Sequence, residues 1–162
     1  MADIGECMSV GAAVAQAAKE SGQRIAFLAS TALSHRLVRG PDRWPSDNEQ
    51  KQDHAFIDLL CSGQVQQAQR QFSDYAQAVT AEMGGRNLAT FLGTLDSDTQ
   101  YHGRQYGSYG QPSGSGNVSI LLTESTEESF FYIVFGVNSD RKSVVQGKRV
   151  DLGGRRTIKQ QK

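Results

Sequence analysis

The chain has 162 residues, 38% of them apolar and 21% charged, a composition typical of one globular domain. Its net charge of zero conceals an uneven distribution: residues 1–138 carry nine Lys or Arg against fifteen Asp or Glu, and residues 139–162 carry eight against two. An acidic body argues against nucleic-acid binding, and no apolar run approaches the length of a membrane span. Two distant cysteines, Cys7 and Cys61, and the lack of a basic leader favour reduced thiols and a cytoplasmic location.

The first third of the chain predicts a helix, a strand and a loop. Apolar residues at helical spacing predict a helix over residues 5–21, which Gly22 ends. Residues 25–29 are continuously apolar without alternation, which predicts a central strand covered on both faces of a parallel sheet. The following small-residue loop presents His35 at the carboxyl end of this strand, where ligands bind in parallel α/β sheets.

Helices and then strands are predicted for the remainder. Ser46 and Glu49 form a capping box that begins a helix ended by Gly63, and residues 64–81 predict one or two further helices. Another helix carries an i, i+3, i+4, i+7 apolar stripe, made of Leu88, Phe91, Leu92 and Leu95. Residues 101–109 and 118–122 predict a hairpin at the edge of the sheet, with a turn between them. The expected fold class is α/β, a mixed sheet flanked by helices.

Two residues are candidates for chemistry, and each also has a structural interpretation. His35 could transfer protons at neutral pH or serve only as a capping residue. Glu82 precedes the helix led by Gly84 and Gly85, where it could be a functional carboxylate or an ordinary acid at a helix N-terminus. His54 and His102 share no metal-ligand spacing with a neighbour and are expected at the surface or beside a site.

Four segments, together with their order, carry a family resemblance. They are residues 25–37, with the motif Leu33-Ser34-His35, and residues 53–63, 81–88 and 112–118. In this order they resemble the C-terminal half of class III extradiol ring-cleavage dioxygenases of the LigB-type superfamily. The similarity spans residues 5–123 and is greatest to the homoprotocatechuate 2,3-dioxygenase and 2-aminophenol 1,6-dioxygenase branches.

The resemblance implies a non-heme Fe(II) enzyme that cleaves catecholic or 2-aminophenolic rings with O2 and is oligomeric. In the family, two histidines and one glutamate bind the iron, and a further histidine acts as acid and base. Glu82 would be the glutamate ligand and His35 the acid–base residue. The two histidine ligands belong to the N-terminal half of the family, which the resemblance does not cover. The chain is therefore expected to be an inactive fragment when alone, with its first strand incompletely paired and one apolar face uncovered.

The end of the chain does not resemble the dioxygenases. Residues 139–162 resemble the translation of a sequencing-library adapter and are expected to be non-native, and residues 124–138 remain unassigned. Two alternatives stay open for the whole chain: a metal-free companion subunit of such a dioxygenase, or a small non-enzymatic binding module that uses the His35 loop.

Overall fold

The structure, a computed structural model, describes residues 1–23, 25–35, 45–110 and 114–125 and the backbone of residues 132–135. The elements within these ranges are, in chain order, α1 (Ile4–Ser21), β1 (Ala26–Ala29), α2 (Asp47–Cys61), α3 (Val65–Ala78), a 3-10 turn (Glu82–Gly85), α4 (Arg86–Gly93), β2 (Tyr101–Gly110), β3 (Asn117–Glu124) and β4 (Tyr132–Phe135). The predicted α/β class is confirmed. None of the described helices is long and apolar enough to cross a membrane.

The four described strands form one mixed sheet in the order β1-β4-β3-β2. β1 and β4 are parallel, whereas β4 with β3 and β3 with β2 are antiparallel. The predicted hairpin is confirmed as β2 and β3, whose regular pairing from Tyr101 opposite Glu124 is interrupted by an irregularity between Tyr106 and Gly110. Alternate residues of β3 point into the core shared with the helices, namely Val118, Ile120 and Leu122.

The prediction of a central first strand covered on both faces is wrong for the described part of the sheet. β1 lies at one end of the strand order, and Leu28 is 65% exposed. The exposed Leu28 agrees instead with the expected uncovered apolar face. A continuous apolar run predicts that a strand is buried, but it does not predict which strands pair with it. The strand that pairs with β1 is β4, and it comes from residues 132–135, within the segment that the sequence left unassigned.

Local signals set the helix boundaries correctly. α1 begins at a capping box in which the Asp3 carboxylate accepts from the Glu6 N–H at 2.7 Å, and it ends at Gly22 with a φ of 63°. The predicted capping box of Ser46 and Glu49 begins α2. Residues 64–81 contain one α-helix, α3 (Val65–Ala78), which ends before the turn at residue 80.

Two glycines allow α1 and α4 to pack with their backbones in contact. A Cβ atom added at Gly11 would lie 2.0 Å from the Thr90 carbonyl oxygen, and one added at Gly93 would lie 2.0 Å from the Met8 carbonyl oxygen. The four residues of the predicted apolar stripe are all buried, but only Leu88, Phe91 and Leu92 lie on α4, since the helix ends two residues before Leu95. Because α4 follows the 3-10 turn directly, its packing in the core also fixes the turn that carries Glu82.

Candidate functional site

Three loop segments meet beyond the end of β1, formed by residues 31–35, 79–82 and 114–116. Ser34 pairs with Ala81 and His35 with Ser115 in isolated antiparallel bridges. The His35 N–H donates to the Thr80 carbonyl oxygen at 3.2 Å, and the Gly116 N–H donates to the Ser34 carbonyl oxygen at 2.8 Å. Backbone hydrogen bonds therefore hold the His35 loop from both sides.

Glu82 is bound to this loop through one of its two carboxylate oxygens. Its Oε2 accepts from the Ala32 N–H at 2.5 Å and from the Thr31 hydroxyl at 3.0 Å. The sequence placed this carboxylate at the N-terminus of the helix that follows it. The structure corrects that prediction: Glu82 lies in a separate 3-10 turn, and the amide that binds its side chain comes from the His35 loop.

The second carboxylate oxygen of Glu82 faces the imidazole of His35. The Nε2 atom of His35 lies 3.9 Å from Oε1 of Glu82, beyond the usual range of a hydrogen bond. The two side chains are 23% and 30% exposed, so both are accessible at the rim of the structure. A third group placed between these two atoms could contact both.

The backbone around Glu82 has an unfavourable conformation. Thr80 and Met83 have φ values of 51° and 52°, in the left-handed region that β-branched and long side chains rarely adopt. Met83 is also 67% exposed although it is apolar. Such conformations persist where the surrounding contacts compensate for the strain, and they concentrate at functional sites.

A buried carboxylate lies behind the His35 loop. Asp53, on α2, is fully buried and accepts hydrogen bonds from three hydroxyl groups. The Ser34 and Tyr109 hydroxyls donate to Oδ2, each at 2.6 Å, and the Tyr75 hydroxyl donates to Oδ1 at 2.8 Å. Burial, together with the nearby charge of Asp53, raises the pKa of Tyr75 well above its usual value, so that this hydroxyl keeps the proton that it donates.

The described residues do not complete a three-ligand iron site. Across the described ranges, no group of three His, Cys, Asp or Glu side chains could hold a metal ion. At the site itself they provide one carboxylate oxygen that is free of the loop's hydrogen bonds, on Glu82, and one imidazole, on His35. A facial triad needs a third protein ligand. Iron would therefore require ligands from outside this set.

The structure thus brings together the two residues that the sequence singled out. His54 and His102 are exposed, as expected, and the thiols of Cys7 and Cys61 are free. The sequence analysis missed Asp53 as part of the site. A signal was present, because Asp53 precedes the buried α2 residues Phe56, Ile57 and Leu60 by three, four and seven positions. A carboxylate in an apolar stripe indicates a buried polar network.

A comparison with protein families supports the resemblance. A family model described as the catalytic LigB subunit of aromatic ring-opening dioxygenase matches residues 1–119. No curated protein matches the chain significantly. The family match includes β1, the His35 loop, the Glu82 turn and the segment around Gly116. Since it covers more than half of the 162 residues, the chain belongs to the family of catalytic LigB subunits of aromatic ring-opening dioxygenases.

Proposed function

We propose that this chain supplies the acid–base residue and one iron ligand of a class III extradiol dioxygenase. The reaction would open a catecholic or 2-aminophenolic ring with O2, as in the branches that the sequence resembles. His35 is the proposed acid–base residue and Glu82 the proposed ligand. The remaining two ligands would be histidines from a preceding segment of a longer protein, so that this chain alone is inactive.

The observation that carries the proposal is the arrangement of Glu82 opposite His35. One oxygen of Glu82 is bound by the loop, and the other lies 3.9 Å from Nε2 of His35. This division leaves Oε1 available to a ligand and holds the imidazole next to whatever binds there.

The acid–base role follows from the chemistry of imidazole. A phenolic hydroxyl must lose a proton before its ring reacts with oxygen, and imidazole titrates near neutral pH, so it can accept and later return that proton. The carboxylate of Glu82 lies close enough to stabilise the positive charge that His35 would gain. Fe(II), when bound, would supply the coordination of substrate and O2.

The test uses the full chain, alone and joined to the histidine-bearing N-terminal half of a LigB-family member. Each protein is given Fe(II), O2 and either catechol or 2-aminophenol, and O2 uptake is measured together with the gain of two oxygen atoms in the product mass. We expect turnover only in the joined protein, and the N-terminal half alone is the control. Ring cleavage by this chain alone would contradict the incomplete site. A folded joined protein that binds no iron would favour the metal-free companion subunit.

We also propose that the dioxygenase part spans residues 5–123 and that residues 139–162 are adapter-derived. The tail lies outside the described residues, as does most of the unassigned segment, apart from Ser125, Glu124 and β4. Deletion of residues 139–162 retains β4 and should leave the thermal midpoint unchanged, whereas deletion of residues 125–162 removes β4 and should lower it. A tail deletion that unfolds the protein would contradict the adapter origin.

A further inference from the structure

We infer that Asp53 is a positioning residue whose carboxylate, from the core side, fixes the loop that presents His35 opposite Glu82. This inference rests on the proposed function for its catalytic consequence, but its structural part can be tested without iron or substrate. Asp53 itself is fully buried and cannot contact a substrate.

The hydrogen bonds of Asp53 connect separate elements of the fold. Ser34 belongs to the His35 loop, Tyr75 to α3 and Tyr109 to β2, while Asp53 itself lies on α2. The Tyr75 ring stacks on Phe56 with 4.4 Å between ring centroids and an interplanar angle of 10°, so this donor is held in place by the core. The carboxylate therefore joins the loop to the rigid helical layer.

Gly116 places a second loop against the same carboxylate. A Cβ atom at Gly116 would lie 2.1 Å from Oδ2 of Asp53 and 2.5 Å from the Tyr109 hydroxyl oxygen. The same glycine accepts from the Leu33 N–H at 2.8 Å and donates to the Ser34 carbonyl oxygen at 2.8 Å. The residues directly before His35 are thus enclosed between Gly116 and Asp53.

A carboxylate is energetically unfavourable in this buried position. Burying a charge is unfavourable unless it is fully hydrogen-bonded, and apolar side chains of similar volume often stabilise a core at least as well. What the carboxylate adds is direction, because its oxygens accept hydrogen bonds only from donors in defined positions. The group whose position it defines, Ser34, is the neighbour of His35 in the chain.

The test compares Asp53→Asn and Ser34→Ala with Gly103→Ala in the full 162-residue chain. The control perturbs a part of the fold away from the His35 loop, since a Cβ atom at Gly103 would lie 2.2 Å from the Leu60 carbonyl oxygen. Amide hydrogen exchange is measured by NMR for His35 and Gly116 relative to Leu88 in α4, and the imidazole resonances of His35 and His102 are recorded.

We expect Asp53→Asn and Ser34→Ala to raise the relative exchange of the loop amides on the order of tenfold, the effect of losing hydrogen bonds to a charged group. They should shift the resonances of His35 but not those of His102. Gly103→Ala should have a different effect: it should accelerate the exchange of all three amides equally and shift the imidazole resonances of the neighbouring His102. If Asp53→Asn does not fold, Ser34→Ala decides the question, because it removes only one hydroxyl.

Unchanged loop exchange and unchanged His35 resonances in Ser34→Ala would overturn the inference. In the joined, iron-loaded protein, Ser34→Ala should lower kcat with KM retained, because it displaces the acid–base residue and not the substrate. A joined protein without activity would contradict the proposed function and leave the NMR result standing. An active protein whose His35 is unaffected by Ser34→Ala would retain the function and contradict the positioning role.

Discussion

Replacing Glu82 by Ala should both destabilise the chain and abolish iron binding in the joined protein. The Ala32 N–H would lose its acceptor, and it belongs to a residue that is only 5% exposed. A buried donor left without a partner costs roughly 1–3 kcal/mol. The Thr31 hydroxyl loses less, because its one hydrogen can be donated instead to the Ala32 carbonyl oxygen, 3.3 Å away. We therefore expect a loss of about 1–3 kcal/mol in the free energy of unfolding.

Replacing His35 by Ala should leave stability and iron binding nearly unchanged but slow turnover. Its imidazole is 23% exposed and lies 3.9 Å from Glu82, beyond hydrogen-bond range, so its removal should cost less than about 1 kcal/mol, the upper value for contacts between exposed polar side chains. The His35 N–H would still donate to the Thr80 carbonyl oxygen. In the joined protein, iron should be retained while turnover falls by about 10²–10⁴-fold, the usual effect of losing a positioned acid–base group.

Urea unfolding of the full chain measures the change in stability for both variants. Iron content and turnover, measured in the joined protein, show the effect of each variant on the site. Glu82→Gln is the matched control, since its amide oxygen can still accept from Ala32 but is a poor iron ligand. It should retain most of the stability and lose the iron. The assignment is refuted if His35→Ala loses iron while Glu82→Ala retains it. The account of the loop is refuted if Glu82→Ala is as stable as the parent.

Two further predictions concern the scaffold. Gly11→Ala should lower the free energy of unfolding, measured by urea unfolding, by about 1–3 kcal/mol, because its Cβ would lie 2.0 Å from the Thr90 carbonyl oxygen. Gly5→Ala in the same helix makes only an ordinary contact at 3.4 Å and should be neutral or stabilising, so equal effects would contradict backbone contact between α1 and α4. Burial and the charge of Asp58 raise the pKa of the Cys61 thiol, so Asp58→Asn should lower this pKa. Alkylation of Cys61 by iodoacetamide at pH 8, followed by mass spectrometry, should then be roughly two- to fivefold faster, and a slower reaction would contradict the role of Asp58.

Features set by neighbouring residues could be predicted from the sequence. Both the capping box at Ser46 and the burial of the apolar stripe that begins at Leu88 depend on spacings of three to seven residues, and the structure confirms them. The adjacency of His35 and Glu82 came instead from the family resemblance, since 47 positions separate them. No local pattern specifies which two loops meet at that distance.

Features set by distant pairing were mispredicted or missed. The position of β1 in the sheet depends on its pairing with β4, which lies more than a hundred residues later in the chain. Hydrophobicity alone does not predict that pairing. Asp53 was missed because its partners come from three other segments. A polar residue in an apolar stripe signals that partners exist, but it does not identify them.

Three exceptions to local rules lie around the His35 loop, which is itself an argument for function. Thr80 and Met83 adopt left-handed φ values without being glycine, and Asp53 is a carboxylate in the core. Sequences generally satisfy local preferences, and departures are expected where a site demands a particular geometry. Here Thr80 and Met83 lie on either side of Glu82, and Asp53 binds the residue before His35. Hydrogen bonds from the His35 loop compensate for the strain: the His35 N–H donates to the Thr80 carbonyl oxygen, and the Ala32 N–H donates to the Glu82 carboxylate. Strain unrelated to the site would have no reason to be distributed around these two side chains.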